Sequence, residues 1–297
     1  MAVGEIRKDQ RCSFRFGPEH ILSLPCVECR TFVQGYGTEG VQMTQEGVDW
    51  VSELFAASTG DWTPVPVKSS VCVLHAPFSS QPDVSSRCAE VLSDAELMKA
   101  GRFMAQDDVA HFIQRRAFRR YCGALAVGAQ GAMSRINFAE KENGRPYILN
   151  LPNLWFSFSS SRFGFLGAWS STHAIGVDLE DKTRNVEPGE LAQHFFSEAE
   201  AKAVESAGGQ ARLRTFFQLW CLKEAALKSI GQGLPFGLDE FEFELSPNIR
   251  VVQAPNDYGG REQFDAHVIE GTDSWAAVVI RRRADLAAPE PSTDRAL

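Results

Sequence analysis

The order of helical and strand-like segments is the feature that most restricts how this chain of 297 residues can fold. Helical patterns run over about 94–127 and 211–230, and each lies among short apolar, β-branched runs that are typical of strands. This order fits two separate lobes better than it fits a strict alternation of strand and helix. We therefore predict an α+β fold in which each lobe combines helices with a mostly antiparallel sheet.

Local signals mark the helix ends. Ser93-Asp-Ala-Glu96 and Ser197-Glu-Ala-Glu200 are capping-box sequences, in which a serine hydroxyl and a later glutamate bind the free amides of a first helical turn. They predict that one helix begins directly after Ser93 and another directly after Ser197. Gly231 fits the position that follows the helix at 211–230, where a left-handed backbone is common.

Apolar and β-branched residues predict seven strands, at 70–76, 163–169, 174–179, 240–245, 250–253, 263–270 and 275–282. The second and third of these are separated by Ser-Ser-Thr-His, which suits a hairpin. Pro77–Ser86 and the serine-rich Phe156–Ser161 are interpreted as loops.

These elements divide the chain into four predicted parts: an N-terminal extension (1–68), an N-terminal lobe (69–172), a C-terminal lobe (173–284) and a flexible tail (285–297). The extension is glycine-rich and weakly patterned, with one helix predicted around Gln45–Phe55.

Charge and hydropathy exclude several kinds of protein. Acidic side chains outnumber basic ones by 38 to 30, so the surface lacks the basic field of a general nucleic-acid binder. Apolar residues make up 44% of the chain, which is enough for a packed core and excludes a wholly disordered protein. The longest uncharged stretches, 146–161 and 163–177, are too short and too interrupted to span a membrane.

The cysteines and the start of the sequence predict a cytoplasmic protein. Seven cysteines is an odd number, and no apolar signal segment is visible, so reduced thiols are expected. Cys26-Val-Glu-Cys29 is a lone pair of the C-x-x-C type, for which Cys12 and His20 are the near candidates to complete a zinc site. We favour ordinary thiols over zinc there.

The first candidate for chemistry is Ile175-Gly-Val-Asp178-Leu-Glu180. Side chains alternate along a strand, so Asp178 and Glu180 would point the same way, about 7 Å apart. Two carboxylates on one face repel each other unless a positive group lies between them, and oxygen ligands suit Mg²⁺. The alternative is a solvated strand end.

The second candidate is the helix that contains Trp220, Glu224 and Lys228. Glu224 lies four residues after Trp220 and therefore on or beside the inward face, where an unpaired carboxylate is costly. Lys228 follows one turn later. One interpretation is a salt bridge between Glu224 and Lys228 on the helix flank. The other is that Glu224 completes a metal site with Asp178 and Glu180, while Lys228 faces an anionic substrate.

The third candidate combines the turn Glu142-Asn-Gly144-Arg145-Pro146 with the serine run at 156–161. Glycine and serines supply backbone amides and hydroxyls, and Arg145 supplies a guanidinium fork that suits phosphate.

In this order, these segments resemble the 4′-phosphopantetheinyl transferase superfamily, specifically its surfactin-type (Sfp-type) branch. Gly176-Val-Asp-Leu-Glu180 matches its G-[IV]-D-x-E motif. Trp220-Cys-Leu-Lys-Glu-Ala-Ala-Leu-Lys-Ser-Ile-Gly-Gln-Gly-Leu234 matches W-x-x-K-E-[AS]-x-x-K-x-x-G-x-G-L. Phe195-Phe-Ser-Glu-Ala-Glu200 resembles F-F-[ST]-x-x-E, and Gly144-Arg-Pro146 stands where the family has G-K-P. The resemblance covers about residues 70–282.

The long second motif and its continuation to Leu245 are most similar to the broad-specificity cytosolic enzymes of animals. The resemblance implies a monomer built as a pseudo-two-fold pair of similar lobes, each with a mostly antiparallel sheet packed on a long helix. It also implies a holo-carrier-protein synthase that uses coenzyme A as co-substrate and Mg²⁺ as cofactor. A serine of an apo acyl or peptidyl carrier protein would receive the phosphopantetheine arm, and adenosine 3′,5′-bisphosphate would leave.

The resemblance also implies roles for individual residues. Asp178, Glu180 and Glu224 would hold Mg²⁺, Glu224 would help to deprotonate the carrier serine, and Lys228 would contact the diphosphate. The residues that would bind coenzyme A are Lys99, Gly144, Arg145, Pro146, Ser159, Ser160, Asp178 and Lys228.

One position departs from the family pattern. The family has F-N-x-S-H-S where this chain has Phe156-Ser-Phe-Ser-Ser-Ser161, so Ser160 replaces a histidine that contacts the phosphates of coenzyme A. A serine donates a hydrogen bond but carries no charge, so we expect weaker binding of coenzyme A with the chemistry retained. The alternative is a non-catalytic relative that binds coenzyme A or a carrier protein.

Overall fold

The computed structural model describes residues 11–16, 20–25, 71–149, 151 and 153–282. The predicted helix at 45–55, the Cys26–Cys29 pair and the tail at 285–297 lie outside these residues, as does most of the predicted extension. The division into four parts stays a prediction. None of the described helices combines the length and the apolar character needed to cross a bilayer.

Six α-helices are described: α1 (Pro82–Ala89), α2 (Asp94–Ala100), α3 (Gln106–Ala126), α4 (Pro188–Phe195), α5 (Glu198–Ser206) and α6 (Gly209–Ile230). The first six described strands are β1 (Arg11–Phe16), β2 (His20–Pro25), β3 (Val71–Pro77), β4 (Phe138–Glu140), β5 (Pro146–Ile148) and β6 (Trp155–Ser161). The other six are β7 (Gly164–Ser170), β8 (His173–Asp181), β9 (Glu242–Glu244), β10 (Arg250–Gln253), β11 (Phe264–Glu270) and β12 (Ser274–Arg282).

Two three-stranded antiparallel sheets form the centre of the fold. The first has the order β3-β7-β6, and the second has the order β11-β12-β8. Helix α3 packs its Phe118 and Cys122 against Phe156 and Phe165 of the first sheet. Helix α6 covers the second sheet, where its apolar side chains meet alternate residues of β12. The mixture of helices with antiparallel sheets confirms the predicted α+β class.

The two sheets meet where β6 lies beside β8. The indole Nε1 of Trp155 donates a hydrogen bond of 2.7 Å to the carbonyl oxygen of Ile175. The Ser157 hydroxyl accepts one of 3.0 Å from the backbone N–H of Val177. Side chains of β6 therefore satisfy buried backbone groups of β8, which fixes the position of one strand along the other.

The helix-end predictions are confirmed. Ser93 and Ser197 each accept a hydrogen bond from the backbone amide three residues later, and both capping boxes are complete. Helix α6 ends at Gly231, whose φ of 72° lies in the left-handed region.

Three predictions for the first lobe are wrong. Strands β7 and β8 form no hairpin, because β7 pairs with β3 and β6 whereas β8 pairs with β12. The serine-rich segment interpreted as a loop is strand β6, whose Phe156 is buried and whose Phe158 is partly buried in the cluster that includes α3. Helix α1 begins at Pro82, within the segment interpreted as a loop, because proline is well suited to a first helical turn.

A fully buried ion pair connects α5 with α6. Lys223 of α6 lies 2.6 Å from Glu200 of α5, and its ammonium also donates to the carbonyl oxygens of Leu238 and Phe241. The other carboxylate oxygen of Glu200 accepts the backbone N–H of Phe243 at 2.8 Å. Burial lowers the pKa of Lys223, and the charge of Glu200 opposes that shift. The pair thus connects two helices with the chain that enters β9.

We predict that Lys223→Ala lowers the free energy of unfolding by about 3–5 kcal/mol, because it leaves the Glu200 carboxylate buried without its cation. Arg250→Ala is the matched control, since Arg250 pairs with Glu244 on the surface and such pairs contribute less than about 1 kcal/mol. Denaturant unfolding monitored by tryptophan fluorescence measures both. Equal losses in the two variants would contradict the role given to Lys223.

Candidate active site

A glycine brings the two elements of the site into contact. A Cβ atom added at Gly176 of β8 would lie 1.8 Å from the carbonyl oxygen of Ala225 and 2.6 Å from the amide nitrogen of Ser229, both in α6. The backbone of α6 therefore rests directly on β8. Because alternate residues of a strand share a face, Asp178 and Glu180 point to the same side as Gly176, toward the helix that carries Glu224 and Lys228.

Asp178 and Lys228 form the central ion pair of the site. Lys228 Nζ lies 2.6 Å from Asp178 Oδ1, which also accepts a hydrogen bond of 2.9 Å from the Ser159 hydroxyl of β6. Burial alone lowers the pKa of Lys228, but the charge and hydrogen bond of Asp178 outweigh it, so the net shift is upward. Lys228 therefore stays protonated at neutral pH. Among the described residues, the ion-pair partner of Lys228 is Asp178. The salt bridge between Glu224 and Lys228, one of the two interpretations of the sequence, is therefore not formed.

Glu180 has a separate cation. Its Oε1 atom accepts hydrogen bonds from Arg184, at 2.6 Å, and from the indole Nε1 of Trp220, at 3.1 Å. Burial and the negative charge of Asp178 raise the pKa of Glu180, against the effect of these two donors. Sequence reasoning missed Arg184, because a spacing of four residues predicts a contact only within a helix, whereas here a turn after strand β8 brings Arg184 back to Glu180.

Glu224 is the acid that the site destabilises most in its ionised form. The side chain is half-buried, and burial together with the charges of Asp178 and Glu180 raises its pKa to about 6. Lys228 and Arg184 oppose that shift. Asp178 and Glu180 thus lie close enough to Glu224 for their charges to raise its pKa.

The donor set of the site suits a hard divalent cation. Asp178 is buried, and its Oδ2 atom has no hydrogen-bond partner among the described residues, which is costly for a carboxylate oxygen. Three carboxylates that repel one another supply only oxygen ligands, the type that Mg²⁺ prefers. As the side chains stand, no group of three or more acidic, histidine or cysteine residues within the described ranges is arranged to hold a metal ion. In this arrangement Lys228 and Arg184 provide the counter-charges.

The predicted phosphate-binding turn lies against the same elements. Gly144, with a φ of 78°, shapes the turn between β4 and β5. The Arg145 guanidinium stacks over the Trp155 ring at 3.8 Å from its centroid, while Pro146 begins β5. Asn143, which was not predicted as a functional residue, donates a hydrogen bond of 2.7 Å from Nδ2 to the carbonyl oxygen of Gly231. Its position inside the predicted turn was the only sequence signal.

Two other predicted residues occupy the first lobe. Ser160 is half-buried on β6 and pairs with Phe165 of β7, one position after Ser159. Lys99 is exposed on α2, which packs on α3. Among the contacts of the described residues, none links Lys99 to the Asp178–Lys228 pair. The structure therefore brings together Ser159, Asp178, Glu180, Glu224 and Lys228, places the turn beside them and leaves Lys99 on the surface.

Comparisons with known proteins identify similar chains. A family model described as the 4′-phosphopantetheinyl transferase superfamily matches residues 174–280. A 4′-phosphopantetheinyl transferase of Bacillus subtilis is 30% identical over 57% of this chain and 74% of its own length. The transferase ffp of Bacillus subtilis is 37% identical over 40% of this chain and 53% of its own.

A vertebrate protein is also similar. The L-aminoadipate-semialdehyde dehydrogenase-phosphopantetheinyl transferase of Xenopus laevis is 28% identical over 54% of this chain and 56% of its own length. Across these three relatives, the chain spans from about half to about three quarters of the relative's length.

We predict that Gly176→Ala destabilises the protein by at least about 1–3 kcal/mol, because its Cβ would overlap backbone atoms of α6 that cannot move aside as a flexible side chain can. Gly189→Ala is the control, since a Cβ there meets nothing within 4 Å and the residue lies in helix α4. That variant should be neutral or slightly more stable. Thermal unfolding followed by circular dichroism tests the pair, and an unchanged midpoint in Gly176→Ala would contradict the close approach.

Proposed function

Because the chain belongs to the 4′-phosphopantetheinyl transferase superfamily, we propose that it transfers the phosphopantetheine arm of coenzyme A to a serine of an apo acyl or peptidyl carrier protein. The serine oxygen forms a bond to the β-phosphorus of coenzyme A. The bond from that phosphorus to the bridging oxygen breaks, and adenosine 3′,5′-bisphosphate leaves. The observation that carries the proposal is the convergence of Asp178, Glu180, Glu224 and Lys228 where α6 rests on β8.

Lys228 supplies a fixed positive charge for the diphosphate of coenzyme A. It is protonated at neutral pH because Asp178 raises its pKa, and its side chain is only partly buried. An ammonium group there can donate to a phosphate oxygen while it stays near Asp178. Ser159 bonds to the same Asp178 oxygen and thereby holds the carboxylate in place.

Asp178, Glu180 and Glu224 would hold Mg²⁺. The unpartnered Oδ2 of Asp178 and the raised pKa values of the two glutamates support this role, because a cation would relieve both the desolvation and the mutual repulsion. When bound, the ion would neutralise the diphosphate and stabilise the charge that develops as the leaving group departs.

Glu224 is the candidate general base. Without a cation, the pKa of Glu224 is about 6, so its carboxylate is mostly ionised at pH 7. A bound cation would favour the ionised form further, so the carboxylate is available to accept a proton. Its half-buried position lets it receive the proton of the carrier serine, either directly or through one water molecule.

The nucleotide part of coenzyme A would bind along the turn and β6. Arg145 offers a guanidinium that is already oriented by Trp155, and Gly144 and Pro146 shape its turn. Ser160 would donate a neutral hydrogen bond to a phosphate. Lys99 would reach the nucleotide from the surface of α2.

One chain supplies every residue of this proposed site, so we infer a monomer. The odd number of cysteines favours reduced thiols and therefore a cytoplasmic location. Each lobe carries a three-stranded antiparallel sheet packed on a long helix, which supports a pseudo-two-fold relation between the lobes. We expect neither a nucleic-acid nor a membrane partner.

We predict that the purified chain, given coenzyme A and Mg²⁺, adds the phosphopantetheine mass to an apo carrier protein, as measured by intact-mass spectrometry. Glu224→Gln should lower turnover by about 10²- to 10⁴-fold while the protein stays folded, because the amide cannot accept the serine proton. A panel of acyl and peptidyl carriers from fatty-acid, polyketide, nonribosomal-peptide and aminoadipate-reducing systems identifies the substrate.

The matched control is Glu205→Gln, which makes the same change on an exposed face of α5 and should retain full turnover. No mass shift on any carrier would contradict the proposal. Calorimetric binding of a carrier or of coenzyme A without product would favour the non-catalytic relative, and full activity of Glu224→Gln would remove Glu224 from the mechanism.

A further inference from the structure

The turn that carries Arg145 is fastened to the second lobe through Asn143. The Asn143 side chain donates from Nδ2 to the carbonyl oxygen of Gly231 at 2.7 Å, across 88 residues of sequence. Its Oδ1 atom accepts a hydrogen bond of 3.2 Å from the backbone N–H of Arg145. One amide group therefore holds both the end of α6 and the residue that bears the guanidinium.

The carbonyl that Asn143 binds is one that a helix leaves without an intrahelical partner. Gly231 ends α6 in a left-handed conformation, so its carbonyl oxygen needs a donor from elsewhere. A Cβ added at Gly231 would come within 2.8 Å of Asn143 Nδ2, so the glycine also leaves room for the amide. The contact therefore needs both residues.

Arg145 itself is held by a second connection. Its guanidinium stacks 3.8 Å above the Trp155 ring, and the Trp155 indole donates to the carbonyl oxygen of Ile175 in β8. The turn is thus fixed to α6 through Asn143 and to β8 through Trp155. These two elements carry the Asp178–Lys228 pair, and each attachment lies three residues from it, at Gly231 and at Ile175.

We propose that Asn143 is a positioning residue that fixes the Arg145 guanidinium in register with Lys228 across the boundary between the lobes. This inference rests on the proposed function, in which both cations bind phosphates of one coenzyme A molecule. When the two cations are already held at a fixed separation, binding a diphosphate and a second phosphate does not have to order a flexible turn. The loss of conformational entropy on binding is therefore smaller. Asn143 touches neither phosphate in this account and acts through Arg145.

The test is the steady-state kinetics of Asn143→Ala with coenzyme A as the varied substrate. Loss of one net hydrogen bond between the lobes should raise the KM for coenzyme A about five- to tenfold. The kcat value should stay within about twofold, because Glu224 and Lys228 remain in place. An unchanged KM, or a fall in kcat with KM constant, would overturn the inference.

Asn143→Asp separates the two bonds of the amide. The aspartate keeps an acceptor for the Arg145 N–H but has no donor for the Gly231 carbonyl, so its KM should rise as in the alanine variant. A wild-type KM in Asn143→Asp would overturn the inference, because the bond inside the turn would then suffice. Glu142→Ala is the control in the same turn, since it removes an exposed neighbouring side chain and should leave KM within about twofold.

A double variant distinguishes positioning from a general loss of stability. If Asn143 acts through Arg145, then Asn143→Ala combined with Arg145→Ala should have the KM of Arg145→Ala alone. Multiplied effects in the double variant would overturn the inference.

Calorimetric titration of coenzyme A with Mg²⁺ measures binding without turnover. The proteins to compare are the wild type, Asn143→Ala, Arg145→Ala and the double variant. The Kd values should follow the expected order of KM values, and equal Kd values in the wild type and Asn143→Ala would overturn the inference. Failure of the wild type to modify any carrier, with these Kd differences present, would reject the proposed transfer and leave the positioning role standing.

Discussion

The close contact between α6 and β8 at Gly176 is the constraint on which the site depends. Because no Cβ separates the two backbones, a strand with two acids and a helix with an acid and a lysine can share one small volume. Any larger residue would hold the elements apart. The rest of the second lobe reinforces this arrangement, since the buried Lys223–Glu200 pair anchors α6 one residue before Glu224.

The two cations of the site compensate only part of the charge of its three carboxylates. Lys228 and Arg184 each compensate one carboxylate. Within the described part of the chain, however, Asp178 retains a buried oxygen without a hydrogen-bond partner, and Glu224 has a pKa of about 6. A purely structural salt-bridge network would be expected to satisfy such groups. Because this site has more carboxylates than cationic side chains, it is suited to bind a metal cation, and through the cation the phosphates of a ligand.

Local sequence signals predicted much of the fold, because the interactions behind them are local. Capping boxes at Ser93 and Ser197 and the glycine at residue 231 involve residues within one helical turn, and the structure confirms all three. Strand pairing was harder to predict. The Ser-Ser-Thr-His link suggests a hairpin, but β8 pairs with β12, about 100 residues later along the chain, and no local pattern encodes that choice.

In the candidate site, too, local features could be predicted from the sequence and long-range contacts could not. Spacing alone indicated that Asp178 and Glu180 share a face and that Glu224 points inward. The sequence left the partner of Lys228 open between Glu224 and an anionic substrate. The actual partner depends on how the helix packs on the strand, which local sequence does not determine. The hydrogen bond from Asn143 to Gly231 could not be predicted from neighbouring residues, because its two partners are 88 positions apart in the sequence.

A crystal structure with coenzyme A and Mn²⁺ in place of Mg²⁺ tests the central claim most directly, because the anomalous signal of manganese locates the ion independently of the atomic coordinates. We expect one anomalous peak bound by oxygens of Asp178, Glu180 and Glu224 and by the diphosphate, with Lys228 on a phosphate oxygen. A peak away from these three carboxylates, or coenzyme A bound elsewhere on the protein, would contradict the account.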